Sequence, residues 1–323
     1  MAASKDFEKF EQIVHRINPR SRLVHARALE GGISAQVVAL EVARQDGQTE
    51  KMVMRRHGPV DLRQNPDVAE DEYRLLQITQ AAGLATPAPY HLDQTCEIFP
   101  TPYVVIEYIE GETDLTPPDI HDYMQQMATH LAGIHTIACA HQDLTFLRDQ
   151  QKIYAEMFSN RPEKVDDSID EGRIRATLEA AWPLPQRNAP VLLHGDYWPG
   201  NVLWKDDRLA AVIDWEDAQF GEPLADVANG RMEIMWLFGI DAMETFTRHY
   251  RSITTIDFTD LPYWDLCTAL RPAFKIPEFA EDAADEARMV REHGWFVGQA
   301  YEGIDSLIHW FIERHLLNEP MNQ

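Results

Sequence analysis

The sequence is poor in cysteine, and its few cysteines stand far apart. Cys96, Cys139 and Cys267 form no CxxC pair, so the sequence predicts neither a disulfide framework nor a zinc site. Because unpaired cysteines are typical of a reducing compartment, we expect a cytoplasmic location. The N-terminal segment is charged and amphipathic and lacks the apolar core of a signal peptide.

Long apolar runs and positive charges are also scarce. No apolar run approaches the roughly 20 residues that a membrane-spanning helix needs, so we expect no membrane contact. The 323 residues include 29 Lys and Arg against 53 Asp and Glu, a net charge of −24. Such a surface repels nucleic acid, which we exclude as a partner. It favours cationic small molecules, and an acidic surface that serves solubility alone is the alternative.

The most informative segment is HGDYWPGNVLWKDDRLAAVID, residues 194–214. Within it Asp196 is followed five residues later by Asn201, and Asp214 ends an apolar run. A protein kinase catalytic loop has the same order, with an H-x-D triplet, an Asn five residues on and a strand that ends in a metal-binding Asp. Here the middle of the triplet is Gly, and Trp-Glu replaces the Phe-Gly that follows the last Asp in a protein kinase. This variant resembles the aminoglycoside phosphotransferase and choline kinase-like family, whose members phosphorylate small molecules.

The local pattern predicts that these residues flank a β-hairpin. Residues 202–204 and 209–213 are typical of two strands, and residues 205–208 of the turn between them. The hairpin is expected to bring Asn201 and Asp214 together at its open end. An ordinary hairpin with polar ends is the alternative, because Asp and Asn are common beside turns. The complete motif, more than any single residue, favours the catalytic interpretation.

The resemblance implies an ATP-dependent small-molecule O-kinase with an α+β, bilobal protein-kinase-like fold. Asp196 would orient the acceptor hydroxyl and take its proton, and Asn201 and Asp214 would be oxygen ligands for Mg²⁺. His194 is expected to be a buried scaffold residue that hydrogen-bonds the loop. Without the Phe-Gly pair we expect no switch by activation-loop phosphorylation. GTP in place of ATP stays open.

The resemblance also implies a division into two lobes, for which the chain is long enough. Residues 1–106 would form a small β-rich nucleotide-binding lobe, residues 107–112 a hinge, and residues 113–323 a larger helical lobe for catalysis and acceptor binding. In the family the hinge backbone contacts the adenine edge, and the corresponding backbone groups here would be those of Glu107 and Ile109. A plain strand followed by a turn would show the same pattern.

Two further features precede the hinge. Residues 29–42 place glycines and a serine between apolar segments, which predicts a hairpin whose tip, with Gly32 and Ser34, covers the phosphates. The segment has neither a GxGxxG nor a Walker pattern, so this interpretation rests on its position. The strand-like residues 52–56 contain Arg55, which corresponds to the phosphate-binding lysine of a kinase strand. A solvated edge cation is the alternative.

A helix is predicted over residues 67–83, because its apolar residues recur with helical spacing and Gly83 is a typical helix end. A carboxylate of this helix should pair with Arg55. Glu72 matches the family pattern best, and Glu70 is the alternative. Two residues that are two positions apart on a helix face different ways, so only one of them is expected to reach Arg55.

The C-terminal part is predicted to be helical, with most of its aromatic residues in the core. His135 is expected to be a packed structural residue, and Asp226 to brace the catalytic loop from the start of a helix. The segment 277–288 is rich in acidic residues; we hypothesise that it attracts a cationic acceptor, and a solvated helix face is the alternative.

Motifs do not define the acceptor or the oligomeric state. Aminoglycosides, choline, other amino alcohols, sugars, homoserine-like metabolites and hydroxyacyl compounds are all compatible with the sequence. Two other functions are weighed against the kinase. One is a nucleotide-binding module without turnover, and the other a metal-dependent hydrolase built on the same acidic residues.

Overall fold

The computed structural model describes residues 6–29, 35–137, 143–159, 165–166, 169–271 and 283–315. The chain divides into two compact units. One comprises Met1–Thr113 with Val202–Glu216, and the other comprises Asp114–Asn201 with Asp217–Gln323. In the ranges described, none of the helices combines the length and the apolarity that a bilayer crossing requires.

The first unit is built on an antiparallel sheet of five strands in the order β1-β2-β3-β5-β4. Its elements in chain order are helix α1 (Phe7–Ile17), strands β1 (Arg22–Ala28), β2 (Ala35–Ala43) and β3 (Thr49–His57), helices α2 (Pro59–Gln64) and α3 (Val68–Ala81), and strands β4 (Pro89–Asp93) and β5 (Tyr103–Glu107). The strands around residues 29–42, the strand over residues 52–56 and the helix over residues 67–83 are therefore confirmed as elements.

One face of this sheet and helix α1 enclose an apolar core. Phe10, Ile13 and Val14 share one side of α1 at helical spacing and are almost fully buried. They pack in one cluster with alternate residues of the strands, namely Val38, Leu40, Val42, Met52, Met54 and Val105, and with Leu23, Ile98, Phe99 and Tyr103. The period of two along β2 and β3 therefore fixes which strand residues face the core and which face away from it.

The predicted hairpin that follows the HGD triplet belongs to the first unit. Its strands are β8 (Val202–Lys205) and β9 (Arg208–Val212), so the turn is two residues shorter than the predicted 205–208. Asp206 and Asp207 both have positive φ, which is typical of the type I′ turn that suits the twist of a hairpin. Trp204 exchanges backbone hydrogen bonds of 2.8 and 3.0 Å with Glu112, which holds the hairpin to the segment after β5.

The second unit is mainly helical. Its elements are α4 (Ile120–His135), β6 (Arg148–Asp149), α5 (Gln150–Ser159), α6 (Glu171–Ala181), β7 (Val191–Leu193), a 3₁₀ turn (Pro199–Asn201), β10 (Gln219–Gly221), α7 (Leu224–Phe238), α8 (Ile240–Ile253), α9 (Leu261–Ala269) and α10 (Ala283–His315). The three short strands form one sheet in the order β6-β10-β7.

Residues 194–201, the predicted catalytic loop, begin where β7 ends. Tyr197, in this loop, is fully buried, and its hydroxyl donates a hydrogen bond of 2.8 Å to the Met127 carbonyl oxygen of α4. The predicted burial of the C-terminal aromatics holds for Trp236 and Trp264. The loop is therefore held on a packed helical scaffold.

Candidate active site

A buried cluster of charged side chains surrounds Arg55 of β3 in the first unit. Arg55 is 7% exposed. Its Nε lies 3.2 Å from Glu72 Oε1 of α3, and its Nη2 lies 2.8 Å from Asp214 Oδ1. The same Nη2 is 3.3 Å from Glu216 Oε2. Burial lowers the pKa of Arg55, but Glu72 and Asp214 outweigh burial and raise that pKa above its ordinary value, so the guanidinium stays charged.

Burial distinguishes Glu72 from Glu70. Glu72 is 3% exposed. Burial raises the pKa of its carboxyl group, but Arg55 and His57 lower this pKa by more, so it lies below its ordinary value. Glu70 instead accepts a hydrogen bond of 2.7 Å from Gln94 at the surface. The structure thus brings together Arg55 and Glu72, and their part in binding a nucleotide stays a prediction.

His57 is a second cation in this cluster, and the sequence analysis missed it. Its Nε2 lies 2.9 Å from Glu72 Oε2, and its Nδ1 lies 3.6 Å from Glu216 Oε2. Burial lowers the pKa of His57, but hydrogen bonding with Glu216 and Glu72 raises it to about 9. The alternation of β3 was the available signal, because Arg55 and His57 point to the same side of the strand.

The cluster contains three groups that could in principle hold a metal ion. His57, Asp61 and Glu216 each bring one ligand atom within 4.8 Å of the others. Asp61 accepts a hydrogen bond of 3.0 Å from the Gly58 backbone at the start of α2, and His57 contacts Glu72 and Glu216. In this structure the three groups therefore take part in an ion-pair cluster.

Asp214 follows β9 in an unusual backbone conformation. Its φ is +67°, in the left-handed region that residues other than glycine rarely adopt. Its side chain is 36% exposed. The next residue, Trp215, is 2% exposed, and its indole Nε1 donates a hydrogen bond of 3.1 Å to the Val212 carbonyl oxygen. Strain of this kind is typical of functional sites, and the anchored indole holds the segment in place.

The other predicted nucleotide-binding residues are less fully described. Gly32 and Ser34 lie outside the described residues. Glu107 ends β5, and its N–H donates a hydrogen bond of 2.8 Å to the Ala88 carbonyl oxygen. Because its N–H is already used, the backbone group of Glu107 that could contact an adenine is its carbonyl oxygen. Ile109 lies in the loop that follows and is half-buried.

In the second unit, Asp196 and Asn201 form one local arrangement. Asn201 Nδ2 donates hydrogen bonds to the Asp196 carbonyl oxygen at 2.9 Å and to Asp196 Oδ2 at 3.1 Å. Because both bonds use the amide nitrogen, Oδ1 of Asn201 is the atom suited to a metal ion. His194 is fully buried, and its Nδ1 accepts a hydrogen bond of 3.3 Å from the Asp196 N–H, which confirms its scaffold role.

Asp226, near the start of α7, hydrogen-bonds the backbone of the predicted catalytic loop. Its Oδ2 accepts the His194 N–H at 2.7 Å, and its Oδ1 accepts the Gly195 N–H at 2.9 Å. His135 Nε2 lies 3.2 Å from the same carboxylate, and His135 Nδ1 lies 2.6 Å from the Tyr250 hydroxyl. Burial raises the pKa of Asp226, but His135, His194 and the Gly195 N–H together lower it by more, so the pKa lies below its ordinary value. The predicted bracing by Asp226 and packing of His135 are thus confirmed.

Glycine in the middle of the HGD triplet has a steric reason. Gly195 has a φ of +84°, and a Cβ atom added to it would lie 1.9 Å from the Asp217 carbonyl oxygen. Both the backbone conformation and the close contact exclude a side chain here.

Arg271, at the end of α9, reaches the same loop, and no sequence pattern had indicated it. Its Nη2 lies 2.9 Å from Asp196 Oδ1, although the two residues are 75 positions apart in the chain. Asp196 is thus contacted by a cation that the sequence analysis did not include.

Comparison with known proteins identifies relatives of this chain. A sequence model of the phosphotransferase enzyme family (APH) matches residues 25–265. Viomycin phosphotransferase of Streptomyces vinaceus is 30% identical over 159 residues, covering 45% of this chain and 55% of that protein. Acyl-CoA dehydrogenase family member 11 of Rattus norvegicus is 22% identical over 261 residues. The match covers 71% of this chain but only 33% of the length of that relative.

Solved structures share the fold. Amicoumacin kinase hAmiN, in complex with AMP-PNP, Ca²⁺ and Ami, aligns with a TM-score of 0.63 at 14% identity, covering 92% of this chain and 96% of that one. At such low identity the similarity shows the fold alone. It confirms the α+β, protein-kinase-like fold predicted from the motif order.

Proposed function

Because the chain belongs to the phosphotransferase enzyme family, we propose that it transfers the γ-phosphate of ATP to a hydroxyl group of a small molecule. The buried network of Arg55 carries the proposal, because it joins the predicted phosphate-binding cation to Glu72 and to the predicted metal ligand Asp214. A kinase needs such a cation, held by a carboxylate, close to its metal ligand. The AMP-PNP bound to hAmiN supports ATP as the donor.

In the proposed reaction Asp196 is the base. The acceptor oxygen forms a bond to the γ-phosphorus, the bond from this phosphorus to the bridging oxygen of ADP breaks, and the hydroxyl proton passes to the Asp196 carboxylate. Arg55 faces the α and β phosphates with Glu72 as its partner, and Glu107 and Ile109 offer backbone groups to the adenine. Gly32 and Ser34 complete the nucleotide site. The hinge over residues 107–112, between lobes 1–106 and 113–323, belongs to the same proposal.

The donor chemistry of Asp214 and Asn201 fits Mg²⁺. Asp214 offers a partly exposed carboxylate, and Asn201 an amide oxygen, since its described hydrogen bonds use the nitrogen. Both are hard oxygen ligands of the kind that Mg²⁺ prefers. Bound Mg²⁺ would neutralise charge on the phosphates.

The acceptor is proposed only by class. The net charge of −24 supports a cationic compound, which could be aminoglycoside-like or amino-alcohol-like. In the acidic segment 277–288, residues 277–282 lie outside the described residues, and Glu286 belongs to α10. Attraction of the acceptor by this segment stays a hypothesis, as do the cytoplasmic location and the preference for ATP over GTP.

The test is release of ADP from MgATP in the presence of a library of hydroxyl compounds, with mass spectrometry of the phosphorylated product. Asp196→Asn should lower turnover by roughly 10² to 10⁴-fold, the usual effect of losing a general base, while calorimetry shows unchanged ATP binding. ATP binding without turnover on any compound would favour the nucleotide-binding module. Equal turnover with and without acceptor would favour a hydrolase. Near-normal turnover of Asp196→Asn would remove this residue from the mechanism.

A further inference from the structure

Arg271, which follows α9, donates two hydrogen bonds to the catalytic loop and one to helix α7. Its Nη2 donates to Asp196 Oδ1 at 2.9 Å, and its Nη1 donates to the Gly195 carbonyl oxygen at 3.2 Å. The same Nη1 also donates to Asn229 Oδ1 of α7. The guanidinium thus contacts both the side chain of the proposed base and the backbone immediately before it.

The two oxygens of the Asp196 carboxylate have different partners. Oδ1 accepts from Arg271, and Oδ2 accepts from Asn201 Nδ2 at 3.1 Å. An aspartate side chain has a broad χ2 distribution, so one hydrogen bond leaves the carboxylate plane free to turn. Two bonds to opposite oxygens define that plane. A charged partner is also the stronger of the two, because hydrogen bonds between ions are shorter and stronger than those of neutral groups.

Arg271 is itself held by buried parts of the second unit. Asn229, which accepts from it, is 2% exposed and donates through Nδ2 to the Tyr197 carbonyl oxygen at 3.3 Å. Tyr197 is fully buried and bonded to α4 through Met127. Arg271 therefore has a fixed anchor on the scaffold, which a solvated surface cation lacks.

Two other carboxyl groups, those of Asp217 and Glu233, also act to raise the pKa of Arg271, and Asp196 acts more strongly than either. Burial raises the pKa of Glu233 to about 7, although Arg271 acts to lower it. The described hydrogen bonds of the guanidinium are made with Asp196, Gly195 and Asn229.

We propose that Arg271 is a positioning residue for the base: it fixes the plane of the Asp196 carboxylate, so that one orientation is presented to the acceptor hydroxyl. The inference rests on the proposed function, since it assumes that Asp196 takes the proton. Misplacement of a reacting group by about 1 Å commonly costs about 10²-fold in rate. Arg271→Ala should therefore lower kcat by about 10 to 100-fold and leave the KM for ATP within a few-fold. Arg271→Lys should retain more of the rate, because it keeps a charge but loses the two-point fork.

The experiment compares these variants with a matched control. Arg187 pairs with Asp260 at the same distance of 2.9 Å in the same unit, and its side chain is 39% exposed against 37% for Arg271. Arg187→Ala removes an equivalent ion pair away from the catalytic loop. The probe is MgATP, with ADP release measured on the hydroxyl compound that the library selects and on water for the basal rate. Crystal structures of the parent and the Arg271 variants with MgAMP-PNP record the Asp196 side chain.

The expected result is a lower kcat in Arg271→Ala with a changed Asp196 rotamer, partial recovery with Lys, and partial recovery of Arg271→Ala by added guanidinium. Arg187→Ala should keep the parent kcat. An unchanged Asp196 rotamer, or equal effects of Arg271→Ala and Arg187→Ala, would overturn the inference. A rise in the acceptor KM without a fall in kcat would instead assign Arg271 to binding of an acceptor anion. If Asp196→Asn itself keeps normal turnover, the failure lies in the proposed function, whatever Arg271 does.

Discussion

Replacement of Gly195 by alanine tests whether the catalytic loop requires its observed backbone. The added methyl group faces two separate penalties. A φ of +84° costs an L-residue about 1 to 2 kcal/mol. The Cβ atom would also lie 1.9 Å from the Asp217 carbonyl oxygen, where backbone must move by more than 1 Å to reach an ordinary contact. Overpacking of this kind costs about 1 to 3 kcal/mol, so the total destabilisation is about 2 to 5 kcal/mol.

The loop movement should lower catalysis as well as stability. Asp196 follows Gly195 directly, and a displacement of about 1 Å at a reacting group commonly costs about 10²-fold in rate. We therefore expect Gly195→Ala to lower kcat by about 10²-fold and to leave the affinity for ATP within a few-fold. Urea unfolding, ADP release and calorimetry with ATP measure the three quantities.

Gly47→Ala is the matched control, because it separates backbone strain from the steric contact. Gly47 has the same φ of +84°, and a Cβ atom there would meet nothing within 4 Å. It should therefore cost only the strain of about 1 to 2 kcal/mol and leave kcat unchanged. If Gly195→Ala loses no more stability than Gly47→Ala and keeps its kcat, the steric argument for the HGD triplet is wrong.

Two other predictions concern the charged groups. Asp214→Ala should raise the Mg²⁺ concentration needed for ATP binding more than Asn201→Ala does, because a carboxylate contributes more to the binding of a divalent ion than an amide does. Calorimetry with ATP at varied Mg²⁺ concentrations measures this dependence. An unchanged metal dependence in Asp214→Ala would mean that the metal binds elsewhere. The pKa of His57 is raised from 6.5 to about 9, so its contribution to stability is complete below about pH 6.5 and is lost as the pH rises through 9. His57→Gln should be less stable than the parent at pH 6. It should lose less stability between pH 6 and pH 9, because glutamine releases no proton in that range, while Glu72 keeps its contact with Arg55. An equal loss of unfolding free energy in the two proteins between pH 6 and pH 9, measured by urea unfolding, would contradict this.

Local patterns in the sequence were sufficient to predict the elements that carry the motif. The apolar segments on either side of the Asp206–Asp207 turn indicated β8 and β9, and the helical spacing between residues 67 and 83 indicated α3. These signals work because a strand or helix has to bury one face, whatever the rest of the chain does. The turn was placed two residues too wide, since strand ends depend on the turn type and not on apolarity.

The contacts that the sequence analysis missed join residues far apart in the chain. Arg271 lies 75 positions from Asp196, and no local pattern marks it as the residue that will reach the loop. Strand β6 has two residues and pairs in parallel with β10, which is too short for any periodicity to show. His57 was detectable in principle, because it shares a strand face with Arg55, but its partner Glu216 depends on the packing of the hairpin. Tertiary packing, rather than propensity, decides such contacts.

The buried Trp215 also bears on how such an enzyme could be controlled. In a protein kinase the aromatic residue after the metal-binding aspartate can leave its pocket, and its packing distinguishes active from inactive forms. A tryptophan buries about 150 to 250 Å², which at about 25 cal/mol per Å² amounts to about 4 to 6 kcal/mol before the indole hydrogen bond is counted. A form with Trp215 released would then make up about one molecule in a thousand or fewer. An inhibitor that needs a form with Trp215 exposed to solvent would therefore find almost none to bind.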